Sequence, residues 1–308
     1  MREIDQADID HWHQHGYVII ERFLSEAEID AARENLYRYL PTWREYVTRG
    51  PAFADLHGTS HRGAPGWVRY EFPYLGQALN AVALHPFLVA FAERLVGHDG
   101  IALSHGAIVG KYAGKGDYDQ ELHPDYSNNT LAFPKDGTGI IDIPMIVYHT
   151  DVTVDLGPTY VVSKEHTRHL VTDGRRFHSR REFPELYAAE RPATMPAGSV
   201  LIYDMRTFHR GSAMRAAEGV RYSQFTAFHT TGPGWLGSTS FQGAGGSPEM
   251  DDLITHASPR ERELIGFPAP GDPYWDEETT AGVAARYPGM DMSPYARPKL
   301  NPPETESD

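Results

Sequence analysis

The sequence predicts a mainly β protein with flanking helices (α+β), and three observations carry that reading. Residues 5–40 place apolar residues at helical spacing behind an N-cap signal, and helix returns over about 75–96. From Ile101 the pattern changes to short β-type runs separated by Gly and Pro turns and long loops. After about Thr231 the periodicity fades while Gly, Pro and acidic residues accumulate.

Residues 5–40 read as a short helix, a strand at Tyr17–Ile20 and a longer amphipathic helix. The second helix opens with Ser25 as N-cap and Glu28 at the third position, the reciprocal pairing of a capping box, and then aligns Ile29, Ala32 and Leu36 with Leu24 on one face. Pro51–Trp67 is rich in Gly, His, Ser and Arg without a period, which suits a loop, either mobile or ordered around a ligand. Helix returns between Leu75 and Val96. The runs IALSHGAIVGKY, GIIDIPMIVYHT, PTYVV, SVLIYDM and RYSQFTAFHT then supply an all-β core. The expected organisation is a single unit over 1–231, with a helical N-terminal layer (1–100) and a β core (101–231). Residues 232–308 form a partly helical C-terminal extension packed on that core.

Composition excludes several functions. With no cysteine, the chain has no disulfide, thiolate nucleophile or iron–sulfur ligand, so any metal must sit on His and carboxylates. A net charge of −14, from 28 basic against 42 acidic residues, disfavours nucleic acid and anionic membranes as partners, because both are bound by clustered cations. No run of uninterrupted apolar residues reaches the ~18 that a membrane helix needs. The opening MREIDQADID lacks a basic segment followed by an apolar one, so a cytoplasmic location is expected.

The chemistry concentrates in two segments. In LHPDY, His123 and Asp125 are two residues apart, and in extended chain such side chains point the same way and can meet one ion. A lone His-x-Asp is common in solvated loops. Its weight rises because SVLIYDMRTFHRG reads as strand, turn and His209, 86 residues downstream (209 − 123). Two His and one carboxylate bound on one face of an ion leave three positions open, which suits iron(II) taking up a bidentate oxo-acid and dioxygen. Twelve residues further (221 − 209), Arg221 opens the strand RYSQFTAF, where a guanidinium can grip a carboxylate through two hydrogen bonds. Arg215 competes for that role. A second His-x-Asp, His149 with Asp151, lies at a spacing the fold would also tolerate.

These segments resemble the phytanoyl-CoA dioxygenase family of iron(II)- and 2-oxoglutarate-dependent oxygenases over most of residues 10–230. The resemblance runs through HWHQHGYVIIERFLSEAEIDAARENL, LHPDY, DVTVDLGPTYVVSKEHT and AGSVLIYDMRTFHRG. It implies a double-stranded β-helix (jelly-roll, cupin-like) core, with His123, Asp125 and His209 as iron ligands. It further implies Arg221 as the anchor for the far carboxylate of 2-oxoglutarate and Lys111 as a residue lining the same pocket. On that register Asp151 is a structural residue at a strand end, and His149 points into or beside the pocket. The chain departs from the family pattern at Ser163–His166, where Pro-Gly-Ser-His is usual, and at Leu156, where Asn is usual.

The implied activity is hydroxylation of an unactivated carbon in a small-molecule substrate by dioxygen, with release of succinate and carbon dioxide. Asp125 fills the coordination place that chloride takes in related halogenases. Substrate contacts are expected from Arg62–Arg69, from Tyr126–Asn129 and from Trp235, Phe241 and Tyr274. Two rivals stay open: a cupin-type metalloenzyme that does not use 2-oxoglutarate, and a non-catalytic binding protein on the same barrel.

Overall fold

The computed structural model describes residues 3–49, 67–116, 118–126, 141–171, 175–231 and 248–296. The Gly- and His-rich stretch at 51–66, residues 127–129, Trp235 and Phe241 lie outside the described residues.

The N-terminal layer follows its local signals. Helix α1 (Gln6–His15) is capped by Asp5, whose side chain accepts from the Ala7 amide, and Gly16 ends it in the left-handed region. Strand β1 (Tyr17–Ile20) leads to α2 (Glu26–Leu36), where both halves of the Ser25–Glu28 capping box form. After α3 (Trp43–Arg49) and β2 (Trp67–Glu71) come α4 (Gln77–Ala83) and α5 (Pro86–Val96). By length and hydropathy alone, residues 77–96 would suit a membrane. They break instead at His85–Pro86, and α4 and α5 bury Leu79, Val82, Phe87, Leu88, Phe91 and Ala92 inside the fold.

Two sheets form the centre. The major sheet has the order β1-β7-β4-β9-β3-β2, from β3 (Ile101–Tyr112), β4 (Asp142–Tyr148), β7 (Ser199–Tyr203) and β9 (Val220–Thr230) with the two earlier strands, and every pairing is antiparallel. The minor sheet has the order β6-β5-β8, from β5 (Thr159–Val161), β6 (Arg191–Pro192) and β8 (His209–Gly211). It is widened by single antiparallel bridges, His123 to His209 and Leu122 to His178.

Alternation along the strands sorts side chains into layers. Ile143, Met145 and Val147 of β4, with Val200 and Ile202 of β7, face outward into a cluster shared with α2, α4 and α5. Ile146, Tyr148, Leu201 and Tyr203 face inward and meet Val152, Val161, Ala193 and Met195 from the minor-sheet side. Beyond the minor sheet, Leu122, Val162 and Phe208 pack against Leu186 and Tyr187 of a short helix, α7 (Pro184–Ala189), which follows α6 (Lys164–Thr167). Two facing antiparallel sheets under a helical layer make a jelly-roll, cupin-like barrel, the fold expected from the sequence.

Helices α8 (Pro248–His256), α9 (Pro259–Leu264) and α10 (Glu277–Arg286) join the outer cluster through Met250, Leu253, Ile254, Leu264 and Val283, with Trp275 and Tyr287 flanking α10. Asp252 accepts from the Gly76 amide at 3.1 Å and from Gln77 at 2.9 Å, fastening α8 to the start of α4. Tyr274, expected at the substrate, lies exposed in this region, edge-on to Trp275.

Candidate active site

His123 and His209 are neighbours across the minor sheet. The His123 amide donates to the His209 carbonyl at 3.0 Å and the His209 amide returns a bond to the His123 carbonyl at 3.1 Å. A pair that exchanges both bonds holds its Cα atoms ~5.5 Å apart with both side chains on one face. That face is the barrel interior, because the preceding residues Leu122 and Phe208 point the other way, into the cluster beyond the minor sheet.

The tautomers follow from the backbone. His123 Nδ1 lies 2.8 Å from the Glu121 carbonyl, and His209 Nδ1 lies 3.0 Å from the Thr207 carbonyl. Carbonyls only accept, so each Nδ1 carries the hydrogen and each Nε2 turns a lone pair inward. Burial, then the neighbouring His209, push the His123 imidazole down to about 4, with Asp125 acting the other way, so it is unprotonated at neutral pH. Asp125 stands two residues on from His123, with Oδ2 3.6 Å from His209 Nε2. The Tyr203 hydroxyl donates to that same oxygen at 3.0 Å. One ligand atom from each of His123, Asp125 and His209 falls within 4.8 Å of the other two. Two imidazole lone pairs and a carboxylate aimed at one point have no hydrogen to share among themselves, and a divalent cation resolves that conflict.

The second His-x-Asp takes no part. His149 is fully buried, and its Nε2 lies 3.0 Å from Oε1 of Gln224, whose own amide nitrogen donates to the Leu79 carbonyl of α4. It therefore lies on the outer, helix-covered face of the major sheet. The expectation that His149 points into or beside the pocket is corrected by parity: Tyr148 faces the interior, so the next residue faces away. Asp151 accepts from the Ala197 amide at 2.8 Å and stays exposed, a strand-end role.

Lys111 and Arg221 are direct partners in the β3–β9 register and share the interior face. Both are almost wholly buried. Lys111 donates to the Ser212 carbonyl, and its Nζ sits 4.9 Å from the centre of the Tyr118 ring. Arg221 donates to the Gly157 carbonyl and lies 5.7 Å from the centre of the Tyr148 ring, while its Nε has no partner among the described residues. Gly157 makes that approach possible: it has φ 65°, and a Cβ there would come within 2.8 Å of the Ser212 carbonyl. Burial depresses the Arg221 guanidinium, opposed only by Tyr148 and Tyr118. A buried cation with an idle donor and no carboxylate partner among the described residues is prepared for an incoming anion. Arg215, the sequence competitor, is exposed and pairs with Asp119 at 3.4 Å.

Sequence reasoning missed Tyr203, which fixes the Asp125 carboxylate. The available signal was parity, since an inward Leu201 in SVLIYDM turns Tyr203 inward as well. It also missed Glu71 and His105 on the same interior surface. Tyr126, expected at the substrate, donates its hydroxyl to the Val171 carbonyl at 2.7 Å.

A jelly-roll barrel enclosing a His-Asp-His cluster and a buried guanidinium defines the class of cupin-like metal-dependent enzymes. The chain belongs to the phytanoyl-CoA dioxygenase (PhyH) family, which it matches over residues 12–221. This is a family of iron- and 2-oxoglutarate-dependent enzymes. No curated protein is a significant match to the chain. Among solved structures, the chain is similar to SnoK, a non-heme α-ketoglutarate-dependent carbocyclase from nogalamycin biosynthesis, at TM-score 0.56 and 18% identity over 79% of this chain and 90% of that one. It is similar to HygX from Streptomyces hygroscopicus with nickel and 2-oxoglutarate bound, at TM-score 0.54 and 16% identity over 78% and 99%. It is also similar to the epimerase SnoN in complex with Fe3+, α-ketoglutarate and nogalamycin RO, at TM-score 0.54 and 17% identity over 73% and 83%. At these identities the likeness is one of fold.

Proposed function

We propose that the protein is an iron(II)- and 2-oxoglutarate-dependent dioxygenase that hydroxylates an unactivated carbon of a small molecule and releases succinate and carbon dioxide. In this reading His123, Asp125 and His209 hold the iron, and Arg221 with Lys111 binds the far carboxylate of the co-substrate. Residues 1–231 form the oxygenase unit and 232–308 an addition to it. The observation that carries the proposal is the idle Nε of Arg221, a fully buried cation on the same interior surface as the metal-ligand cluster. A cupin that used no oxo-acid would have no need to bury a guanidinium there without a counter-charge.

The bound iron would supply one-face coordination of the oxo-acid and activation of dioxygen, the chemistry that no side chain of this protein can perform. The protein's own residues do the rest. The backbone carbonyls of Glu121 and Thr207 hold both imidazoles in the metal-binding tautomer. Tyr203 restrains one oxygen of Asp125 and so aims the carboxylate. Arg221 and Lys111 fix the length and direction along which a dicarboxylate can lie, and the rings of Tyr118 and Tyr148 shield that end from water. Asp125 keeps a carboxylate where a halogenase would admit chloride, and hydroxylation asks nothing more of the protein than to hold the substrate carbon near the open face.

The test is anaerobic addition of iron(II) and then 2-oxoglutarate to the full chain. A visible charge-transfer band of the chelate is expected, with succinate released in air. Folded, iron-loaded protein that never develops the band would overturn the proposal.

A further inference from the structure

Beyond the metal cluster and the anion pocket, the interior surface carries a third polar group. In the β2–β3 register Trp67 opposes Lys111, Arg69 opposes Val109 and Glu71 opposes Ala107. Directly opposed residues share a face, so Arg69 and Glu71 lie on the same interior surface as Lys111, while Tyr70 turns outward against Tyr39. His105 follows the same parity on β3.

These three side chains are joined. Arg69 grips Glu71 through Nε to Oε1 at 2.6 Å and Nη2 to Oε2 at 3.2 Å, and its Nη2 also lies 3.0 Å from His105 Nε2. A guanidinium only donates, so His105 Nε2 accepts and the ring is neutral. Burial, then Arg69, hold its basicity down to about 4, with Glu71 and Asp125 acting the other way. Arg69 is 18% exposed and Glu71 48%, so the pair is anchored inside the barrel and open at its acidic end. Nη1 of Arg69 donates to nothing among the described residues.

We propose that Arg69, Glu71 and His105 form the substrate-selecting wall of the barrel, and that this wall takes a neutral, hydroxyl-rich small molecule carrying a ring. The proposal deepens the oxygenase reading and rests on it. The wall carries one positive and one negative charge and a neutral imidazole. Arg69 and Glu71 neutralise each other through two hydrogen bonds, so neither a lone anion nor a lone cation finds an unspent counter-charge on this wall. A hydroxyl needs none, because it accepts from Arg69 Nη1 and donates to a lone pair of Glu71. The ring face has a place beside the metal cluster: Phe177 is 46% exposed, its ring centre 5.6 Å from that of His123, with the Arg176 guanidinium against it. Coenzyme A thioesters fit poorly, since their phosphates would have to approach a wall with no net positive charge.

The experiment is calorimetric titration of the full chain with phenyl β-D-glucopyranoside and, separately, with octanoyl-coenzyme A. Each is run with and without 2-oxoglutarate, so the wall is read independently of the co-substrate. Saturable binding of the glucoside is expected, weakened ~10-fold in Arg69→Gln and in Glu71→Gln, with octanoyl-coenzyme A failing to bind. Glu71→Gln keeps the shape of the wall, and thermal melts confirm that each variant is folded. Failure of the glucoside to bind, indifference of its affinity to both substitutions, or preferred binding of octanoyl-coenzyme A overturns the proposal. Wild-type protein that, loaded with iron(II), binds the glucoside but not 2-oxoglutarate refutes the oxygenase reading, an outcome distinct from failure of the glucoside to respond to the wall substitutions.

Discussion

His123–Asp125 and His149–Asp151 are the same tripeptide pattern in two environments. The first begins at a strand bridge whose partner is another histidine, so its two side chains and His209 turn into the barrel. The second begins one residue after an inward tyrosine, so His149 turns out under α4, and Asp151 is left to accept the Ala197 amide. What separates a ligand pair from a structural one is the parity of the strand and the residue across the ladder, neither of which the tripeptide contains.

The largest effect should come from breaking the first motif. His123→Ala, Asp125→Ala or His209→Ala is expected to weaken iron(II) affinity more than ~100-fold, since loss of a mere supporting partner already costs 10–100-fold. Asp151→Ala should leave affinity within a factor of ~2 and lower stability by about 1 kcal/mol. Titration of iron(II) with a competing chelator checks both, and equal losses from the two aspartates would erase the distinction. Next in size, Arg221→Gln should weaken 2-oxoglutarate ~100-fold, about 3 kcal/mol, while iron binding is unchanged, read from titration of the chelate band.

The second motif is sharpened by pH. His149 is pushed down to about 4 by burial, against an ordinary value near 6.5, so the folded state resists the proton that the unfolded chain accepts. Its contribution is therefore fully present above pH 6.5 and is lost as pH falls toward 4, on the order of 2 kcal/mol by pH 5. His149→Gln, which retains a donor for Gln224, should narrow the difference in urea midpoint between pH 7 and pH 5. An unchanged difference would mean that the ring is not neutral and enclosed as described. The smallest effect concerns aim: Tyr203→Phe removes the hydrogen bond to Asp125 and should weaken iron(II) ~10-fold with little change in melting temperature.

Local features were legible in the chain to the residue. Ser25 and Glu28 declare a capping box because the interaction closes within one turn, and the β runs declare themselves by composition. The fold behind them came through resemblance, because pairing β1 with β7 or β3 with β9 depends on contacts between distant segments. The candidate ligands could be named from residue type and order. Their mutual hydrogen bonds could not, since nothing in LHPDY or TFHRG states that the two segments form a ladder. The side on which His149 lies is not legible, because a strand's inward parity is hidden when both faces are buried, as throughout β4. Arg69, Glu71 and His105 carry no motif at all. Their conjunction exists only in the register of β2 on β3.

The reciprocal amide bonds between His123 and His209 have a consequence for how such a protein can diversify. Because the spacing of the two imidazoles is dictated by main-chain geometry, loops around the mouth can be exchanged or lengthened without moving either ring. Chemistry and selectivity are thereby built on separate mechanical supports, so a lineage can change what it oxidises while the coordinating frame stays still.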